Sequence, residues 1–519
     1  MIRIRDIAMA PAHNPDQLVF EAAKLLKISP SRVRQLRIIR RSIDARKKPD
    51  VRFIYTVDVA VEGKEEKLIK NCKKSAIAPS YYYAVPKACA AEQRPVVVGF
   101  GPGGMFAALV LALAGLRPIV LERGEDAQSR HEKVEAFFAS GKLDPRSNIQ
   151  FGEGGAGTFS DGKLNTGVNN PRISWILEQF VAAGAREDIL YDAKPHIGSD
   201  VLLTVVQNIR KRILELGGEV RFNTQVIGLI RENGVLVGLH TDQGDISCTK
   251  AIFAIGHSAR DTFEMLLDAG ISMEPKPFAM GVRIEHKQSD IDRAQYGSNA
   301  LPLPPADYKL VKHLDEETVY TFCMCPGGLV VAAASEEGGI VTNGMSNADR
   351  DGENANAALL VSLNPKDFPY EGVLGGMYWQ RDLERSAFAM SGAYWAPAQT
   401  VGDFLSGRAS SGAGSVQPSY QPGVYWCDLH QILPKKITGA MEKAIPALDG
   451  NLRGFASPDA VLTGPETRSS SPVRIIRGDS RQASLPGLYP VGEGAGYAGG
   501  IMSAAIDGMM SAEALIADL

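Results

Sequence analysis

Short apolar runs rich in valine and isoleucine alternate with a longer, alanine-rich apolar segment after residue 90. Residues 95–98 (Pro-Val-Val-Val) predict a strand, and the alanine-rich residues 105–116 predict a helix. A further apolar run at residues 118–121 (Pro-Ile-Val-Leu) predicts a second strand. Strand, helix and strand in this order are typical of a parallel α/β unit.

The first 90 residues follow another pattern. Alternate positions along one stretch are apolar, at Phe53, Tyr55, Val57, Val59 and Val61. These five side chains share one face of a strand, and we expect that face to be core. The other predicted elements are an opening strand, a helix over residues 15–27 and a hairpin over residues 35–61 that turns at residues 47–50. The pattern predicts a separate α+β domain.

A glycine turn joins the predicted strand at residues 95–98 to the helix. Gly99 makes the tight turn, Gly101 lets the backbone approach a pyrophosphate, and Gly104 lets the helix pack closely on the strand. The helix N-terminus then faces the phosphates. Glu122, 18 residues after Gly104, can accept hydrogen bonds from an adenosine ribose. These features predict a dinucleotide site, which suits NAD and FAD equally.

A second glycine-rich segment lies near the far end of the chain. Residues 487–494 read Gly-Leu-Tyr-Pro-Val-Gly-Glu-Gly, and Gly499, Gly500 and Ile501 precede a small-residue helix. This segment resembles the closing motif of glutathione-reductase-type flavoproteins. The resemblance implies that Glu493, where many relatives have Asp, binds the ribityl chain of FAD. It also implies that a helix N-terminus faces the flavin pyrimidine edge.

Together with further motifs, the two glycine segments make the chain similar to one bacterial family. The motifs lie at residues 99–104, 152–165, 254–260, 278–286, 323–328 and 487–508. The family is that of the FAD-dependent dehydrogenases described as NAD-utilising. The resemblance implies an α/β chain with a glutathione-reductase-type, Rossmann-like FAD-binding domain, an inserted α+β substrate domain and the small N-terminal α+β domain. The expected ranges are 1–90 for the N-terminal domain, 91–270 and 455–519 for the FAD-binding domain, and 271–454 for the insertion.

The resemblance also implies which residues hold non-covalent FAD. The loop at residues 150–166 is expected under the isoalloxazine ring, a strand at residues 219–226 is expected to place Val226 against the adenine, and Gly256 is expected to return the chain to the nucleotide. The full set of expected cofactor-binding residues is Gly99, Gly101, Pro102, Gly103, Gly104, Glu122, Arg123, Arg130, Gly155, Ala156, Asp161, Gly162, Lys163, Leu164, Val226, Gly256, Gly492, Glu493, Gly500 and Ile501.

Four charged residues are candidates for catalysis. Arg468 is expected to hold an anion or direct a proton near flavin N5, and Lys163 to stabilise the charge of the reduced ring. Arg283 could hold a substrate carboxylate while Glu285 transfers a proton, because both lie on one strand face. The alternative for Arg283 and Glu285 is a structural ion pair near a domain joint.

The function predicted from these features is that of an FAD-dependent oxidoreductase, with hydride transfer through flavin N5 and a small-molecule substrate of unknown identity. NAD(P)H is a possible transient electron donor, although no second Gly-x-Gly-x-x-Gly follows a strand in the middle region. Three alternatives stay open. They are a flavin oxygenase, a double-bond reductase resembling geranylgeranyl reductases, and an RNA-associated or partner-binding assembly factor with structural FAD.

Charge is unevenly distributed along the 519 residues. The net charge is −3, yet residues 1–90 hold 19 Lys and Arg against 9 Asp and Glu, a net charge of +10. A basic surface of this kind could bind nucleic acid or an acidic partner, and the alternative is a solvated face. A solvated face is the preferred interpretation because no nucleic-acid-binding motif accompanies the charge.

The six cysteines are too few and too scattered for a disulfide framework, which favours a reducing cytoplasm. Cys323 and Cys325 are expected to be buried, inert thiols, and no zinc-ligand pattern accompanies them. The start of the chain lacks an apolar signal core, and no membrane span is expected. Because no zinc-ligand pattern is present, the sequence predicts no metal site. The sequence makes no prediction of the oligomeric state.

Overall fold

The computed structural model describes residues 1–70, 72–79, 82–88, 91–298 and 301–519. Cys89 and residue 90, the expected end of the N-terminal domain, lie outside the described residues. The N-terminal elements are β1 (Ile2–Met9), α1 (Gln17–Leu26), β2 (Val33–Asp44), β3 (Arg52–Val61), α2 (Glu65–Lys70) and β4 (Ser75–Ile77).

These strands form a four-stranded sheet in the order β2-β3-β1-β4, with antiparallel neighbours. Tyr55, Val57 and Val59 of β3 are buried and pack with Leu18 and Ala22 of α1. The expected core face of the hairpin is therefore confirmed. Because α1 covers this face only, the opposite face of the sheet carries the polar side chains of β2 and β3.

The next segment builds most of a parallel sheet and its helices. Its elements are β5 (Val96–Val98), α3 (Pro102–Leu113), β6 (Ile119–Leu121), α4 (Ala127–Ser140), α5 (Arg172–Ala182), α6 (Ser199–Glu215), β7 (Glu219–Arg221), β8 (Val226–Glu232), β9 (Val235–Thr241), β10 (Gly244–Ser247), β11 (Ala251–Phe253) and α7 (Arg260–Asp268). The helix expected over residues 105–116 begins three residues earlier, because Pro102 has the φ of a first helical turn.

The middle of the chain is a mixed segment dominated by antiparallel strands. Its elements are β12 (Met273–Pro275), β13 (Phe278–Lys287), α8 (Gln288–Tyr296), β14 (Val311–His313), β15 (Thr318–Cys325), β16 (Leu329–Ala332), β17 (Thr342–Met345), β18 (Asn354–Leu363), α9 (Gly375–Ser391), β19 (Ala396–Thr400), α10 (Val401–Leu405), β20 (Val424–Trp426), α11 (Lys435–Asp449) and β21 (Val461–Glu466). The chain closes with β22 (Val473–Ile475), β23 (Leu488–Pro490) and α12 (Ile501–Ala517).

The two ends of this arrangement share one parallel sheet, in the order β23-β11-β5-β6-β7. Val97 of β5, Ile252 of β11 and Tyr489 of β23 are fully buried and join one core with α3, α5, α6 and α12. The mixed α/β architecture with parallel strands is as expected, and the far end of the chain contributes the edge strand β23.

One expected strand is wrong in detail. Residues 219–226 do not form a single strand, because β7 ends at Arg221 and β8 begins at Val226. Asn223 between them has φ of 52°, a left-handed conformation that ends the extended run. Strand β8 then pairs with β9 in a separate three-stranded antiparallel sheet.

The inserted segment centres on a seven-stranded sheet in the order β14-β15-β18-β13-β21-β19-β20. Strand β21 lies inside this sheet and pairs with β13 and β19. Residues 461–466 had been assigned to the returning FAD-binding domain. We therefore propose that the inserted domain extends through Glu466 and that the chain returns with β22, which pairs with β12.

Among the residues that the structure describes, no helix is long and apolar enough to cross a membrane. The same residues hold no group of three or more His, Cys, Asp or Glu side chains arranged to bind a metal ion.

Candidate functional site

Glycine turns converge at the carboxyl edge of the parallel sheet. The turn after β5 contains Gly99, the turn after β11 contains Gly256, and the turn after β23 contains Gly494. A Cβ added at Gly494 would lie 2.5 Å from the carbonyl oxygen of Gly256, and one added at Gly104 would overlap the carbonyl oxygen of Gly99. The turns therefore pack backbone against backbone. This edge is where open parallel sheets bind ligands.

The N-terminus of α3 opens onto this edge. Its N-cap residue Gly101 is extended, and no described side chain caps the helix. Pro102 has no N–H, so Gly103 and Gly104 present the first amides of the helix. An uncapped helix start with this partial positive charge suits a phosphate group.

A second glycine loop, residues 152–159, contacts two helix starts. The Gly154 N–H donates to the carbonyl oxygen of Phe100 at 2.9 Å. A Cβ added at Gly155 would lie 2.9 Å from the Cα of Gly101, and one added at Gly157 would lie 3.1 Å from Cγ1 of Ile501. The loop thus touches the starts of α3 and α12. In the structure the backbone of Gly155 lies close to Gly101. From the sequence, a pyrophosphate was expected at Gly101.

Glu122 at the end of β6 organises these turns. Its carboxylate accepts hydrogen bonds from the backbone N–H of Phe100 at 2.8 Å and from those of Gly124 and Gly152, both at 3.0 Å. Three backbone amides already use this acid, so its first role is to hold the turns together. Oε2 accepts one of the three bonds and keeps capacity for another donor, such as a ribose hydroxyl.

Arg130 and Arg123 do not present free guanidinium groups. Arg130 is fully buried and donates to the carbonyl oxygens of Asn148, Ile149 and Glu153 at 2.7–2.8 Å. Arg123 forms an ion pair with Asp261 at 3.0 Å. Both were assigned to the cofactor from sequence. In the structure Arg130 braces the second glycine loop from within and Arg123 links β6 to α7, and their contact with the cofactor stays a prediction.

The start of α12 forms the other half of the edge. Gly500, with φ of 80°, precedes the helix, and no described side chain caps it. The Glu493 carboxyl accepts a hydrogen bond from the Gly500 backbone, and burial raises the pKa of Glu493 to about 7 against the opposing charge of Lys276. The proton occupancy of Glu493 therefore changes near neutral pH. Lys276 was missed from the sequence, where it is an isolated lysine between prolines.

His257 follows Gly256 in the turn after β11. Its Nδ1 lies 3.0 Å from the Ser258 hydroxyl, which donates to Oε1 of Gln150 at 3.0 Å. Burial lowers the pKa of His257 to about 4, and the charge of Arg468 acts in the same direction. The imidazole is therefore neutral at pH 7 and takes up a proton only under acidic conditions.

Arg468, the leading catalytic candidate, is committed to a buried carboxylate. Its guanidinium donates to Glu384 of α9 at 2.7 and 3.0 Å, and Arg260 donates to the same carboxylate at 2.8 and 2.9 Å. The Thr467 hydroxyl adds a third donor at 2.6 Å. Burial alone would raise the pKa of Glu384, but the two guanidinium groups outweigh it and hold this pKa below its usual range. These contacts favour a positioning role for Arg468, and its expected role near flavin N5 stays a prediction.

Arg283 has a partner for each of its five N–H groups. Glu466 accepts from Nε and from Nη2, the latter at 2.8 Å, and Nη1 and Nη2 also donate to Asn356, Asn343 and the Cys323 carbonyl at 2.9–3.1 Å. Every N–H of Arg283 thus donates within the protein, which favours a structural role, and the binding of a substrate carboxylate stays a prediction. Arg283 forms its ion pair with Glu466 and not with Glu285.

Glu285 shares the strand face of Arg283 but is held separately. It accepts from the Asn354 side chain at 3.0 Å and from the Ser419 backbone at 3.1 Å. Burial raises the pKa of Glu285. Since the carboxyl group is fully buried among these donors, the structure favours a structural role over proton transfer to a substrate.

Lys163 ties the second glycine loop to the inserted domain. Its Nζ donates to the Met324 carbonyl and lies 3.0 Å from Asp161, which also binds Arg350. Of the two nearby thiols, Cys325 is buried as expected, whereas Cys323 is exposed. Cys323 has φ of 39° and lies at an irregularity of β15, which explains how its side chain leaves the sheet.

The remaining expected cofactor residues lie around the same edge. Val226 is buried with Val98 and Leu121, and Leu164 is part of the core below the sheet. The Gly492 N–H donates to Asp507 of α12 at 2.8 Å, and Asp507 also pairs with Arg477 at 2.7 Å. Asp507 was missed from sequence, although an acid inside an otherwise apolar helix was a visible signal. Of the other expected cofactor-binding residues, Ala156 lies on the second glycine loop and Gly162 lies shortly after it.

A protein of Clostridium beijerinckii described as uncharacterized is 46% identical over 525 residues, covering 99% of this chain and 98% of that protein. The chain belongs to the same family as this Clostridium protein. Residues 277–469 match the family described as "FAD-dependent protein, C-terminal domain-like", and residues 1–60 match a domain of unknown function (DUF8436).

Solved structures show only distant similarity. Glycine oxidase from Bacillus cereus is 12% identical, with a TM-score of 0.33 and coverage of 82% of this chain and 95% of that one. L-Proline dehydrogenase from P. horikoshii is 14% identical, with a TM-score of 0.34 and coverage of 82% and 94%.

Proposed function

We propose that the protein is an FAD-dependent oxidoreductase that binds FAD non-covalently in a glutathione-reductase-type, Rossmann-like domain. One observation carries the proposal. Glycine turns from residues 99–104, 152–157 and 492–500, contributed by both ends of the chain, meet at the carboxyl edge of one parallel sheet beside two uncapped helix starts. The match of residues 277–469 to a family described as FAD-dependent supports the same conclusion.

The residues present at this edge suit the chemical groups of FAD. Gly101, Gly103 and Gly104 suit the pyrophosphate, because they lie at the uncapped start of α3 and the first backbone amides of this helix belong to Gly103 and Gly104. Glu122 suits the ribose, and Glu493 suits the ribityl hydroxyls because its carboxyl lies beside Gly500 at the start of α12. Lys163, Arg130 and Arg468 hold the surrounding loops and the inserted domain in place.

Bound FAD would supply two-electron redox chemistry. The protein contributes the electrostatic setting. The uncapped start of α12 places a partial positive charge at the edge, which favours an anionic ring by about 0.3–2 kcal/mol. At this edge the raised pKa of Glu493 allows its carboxyl to hold or release a proton near pH 7, whereas the lowered pKa of His257 keeps its imidazole neutral.

The experiment is to identify and count the flavin in the purified protein. We expect the visible flavin spectrum, with FAD released intact on denaturation in about one copy per chain. Gly101→Val should abolish retention because its branched side chain would enter the space between α3 and Gly155. Gly412→Val is the matched control, since nothing lies within 4 Å of a Cβ at that exposed glycine.

Two outcomes contradict the proposal. One is purified protein that contains no flavin and takes up none when FAD is added in excess. The other is a folded Gly101→Val variant, judged by its circular dichroism, that keeps the flavin content of the control. Adding NADH or NADPH without oxygen then tests the electron donor, because loss of the visible band identifies a nicotinamide-dependent reductase.

A further inference from the structure

The N-terminal sheet has a polar face on the side away from α1. Cα partners in antiparallel strands place their side chains on the same side, and Arg37 pairs with Asp58, Arg40 with Thr56 and Ser42 with Ile54. These positions alternate with buried Tyr55, Val57 and Val59. We call this side the outer face, and its residues are Arg3, Gln35, Arg37, Arg40, Ser42, Ile54, Thr56, Asp58 and Ala60.

The outer face carries uncompensated positive charge. Its acid, Asp58, is paired with Arg3 through hydrogen bonds of 2.7 and 2.9 Å. Arg37 and Arg40 are exposed. Within the residues that the structure describes, the guanidinium group of neither forms a hydrogen bond or an ion pair. Two guanidinium groups are therefore available to an anionic partner. Strand β2 is the outermost named strand of its sheet, and its Arg41, next to Arg40, forms backbone hydrogen bonds with Tyr191 and Ala193.

The same face leads into an open groove of about 620 Å³. Ser42 and Ile54 belong to both, and Asp44, Arg46 and Lys48 of the hairpin and Gln295 of α8 also line the groove. The Lys48 ammonium donates to the Ala294 carbonyl. Arg46 is paired with Asp44 at the surface, where such a pair contributes little and can exchange for another anion. Basic side chains thus continue from Arg37 through Arg40 to the groove.

We propose that the outer face and this groove bind single-stranded nucleic acid through its phosphates. Guanidinium groups bind phosphate oxygens in a bidentate geometry, and a basic groove that follows the backbone is the common device of single-strand binding. None of the nine outer-face residues is aromatic, so base stacking contributes little and sequence preference should be weak. A lipid surface fits less well, because Ile54 is the one large apolar side chain among the nine and it is partly buried.

The test is fluorescence anisotropy of a labelled single-stranded RNA of about 16 nucleotides, the upper end of common site sizes. The protein is the full-length chain, and the salt concentration is varied between about 50 and 200 mM. The variant is Arg37→Glu with Arg40→Glu. The matched control is Lys24→Glu with Lys67→Glu, which makes the same charge change on exposed positions of α1 and α2, on the other side of the sheet.

We expect the wild-type protein and the control to bind with similar affinity. The Arg37/Arg40 variant should bind at least about tenfold more weakly, and the magnitude of its slope of log affinity against log salt should fall by about 1.4, since each lost phosphate contact removes about 0.7. Circular dichroism and flavin content should be unchanged in both variants, because neither pair of residues lies near the parallel sheet.

Three outcomes would overturn the proposal. The first is wild-type protein that does not bind the RNA at about 50 mM salt. The second is an equal loss in the two charge-reversal variants, which would show a response to net charge alone. The third is preferential binding of the wild-type protein to phosphatidylserine vesicles, abolished in the Arg37/Arg40 variant, which would assign the face to a membrane surface.

Discussion

Gly508 of α12 packs directly on the backbone of Gly103 in α3. A Cβ added at Gly508 would overlap the carbonyl oxygen of Gly103 and lie 2.8 Å from its carbonyl carbon. Gly103 in turn lies close to Ala504 of α12, with 3.3 Å between an added Cβ and the Ala504 carbonyl oxygen. The helices that follow the first and last glycine turns are thus fixed together, which aligns their two uncapped starts at one edge of the sheet.

This packing predicts opposite effects for two helical glycines. Gly508→Ala should destabilise the protein by about 1–3 kcal/mol, because the new methyl group overlaps the Gly103 carbonyl and the helices must separate. Gly439→Ala in α11 should be neutral or stabilise by up to about 1 kcal/mol, since nothing lies within 4 Å of its Cβ. Urea unfolding followed by circular dichroism measures both, and a shared direction of change would contradict the packing argument.

The glycine turns were predictable from the sequence because they depend on local conformation. Gly99, with φ of 92°, and Gly500, with φ of 80°, adopt backbone angles that L side chains rarely tolerate, and this requirement is visible in the sequence itself. The parallel strands next to them were recognisable for a similar reason. Short runs such as residues 96–98 are apolar throughout because both faces of a parallel sheet are covered.

The partners of the buried charges could not be predicted in this way. Arg283 meets Glu466 only because β13 and β21 are neighbours in the seven-stranded sheet, and Arg468 meets Glu384 only because α9 packs near β21. Each pairing depends on strand order and register, which are long-range properties of the fold. A charged residue in an apolar run therefore indicated a candidate functional residue. The sequence did not show that the partner of this charge is another residue of the same protein.

The Glu384 carboxylate is expected to be important for stability. Glu384→Gln would leave the buried guanidinium of Arg468 without its carboxylate partner, while Arg260 keeps Glu336, and breaking a buried pair in this way costs about 3–5 kcal/mol. Glu264→Gln is the control, because Glu264 is an exposed partner of Arg381 and should change stability by less than about 1 kcal/mol. Equal unfolding midpoints in urea for Glu384→Gln and Glu264→Gln would refute the prediction.

A double-mutant cycle distinguishes a structural Arg283 from a substrate-binding one. Arg283→Met and Glu466→Met should each destabilise by several kcal/mol, since each leaves a buried charge unpaired. The double variant should lose less than the sum of the two, with a coupling energy of about 1–3 kcal/mol. Additive losses, or an Arg283→Met variant of unchanged stability, would return Arg283 to the list of substrate-binding candidates.

Glu493 is expected to make stability fall as the pH rises towards neutrality. Its pKa in the folded protein is raised to about 7, above the value of about 4.5 for an unperturbed Glu, because burial disfavours the carboxylate. Between these two values the folded state binds more protons than the unfolded state, so each increase in pH destabilises the fold. Glu493→Gln cannot ionise and should lose this dependence.

The urea midpoint of Glu493→Gln should therefore rise relative to that of the flavin-free wild-type protein between about pH 5 and pH 8. Glu274→Gln, at an exposed acid paired with Arg474, should leave the wild-type profile in place. If the Glu493→Gln and wild-type profiles are parallel over this range, then the Glu493 carboxyl is already ionised at pH 5 and is not the group that titrates at the start of α12.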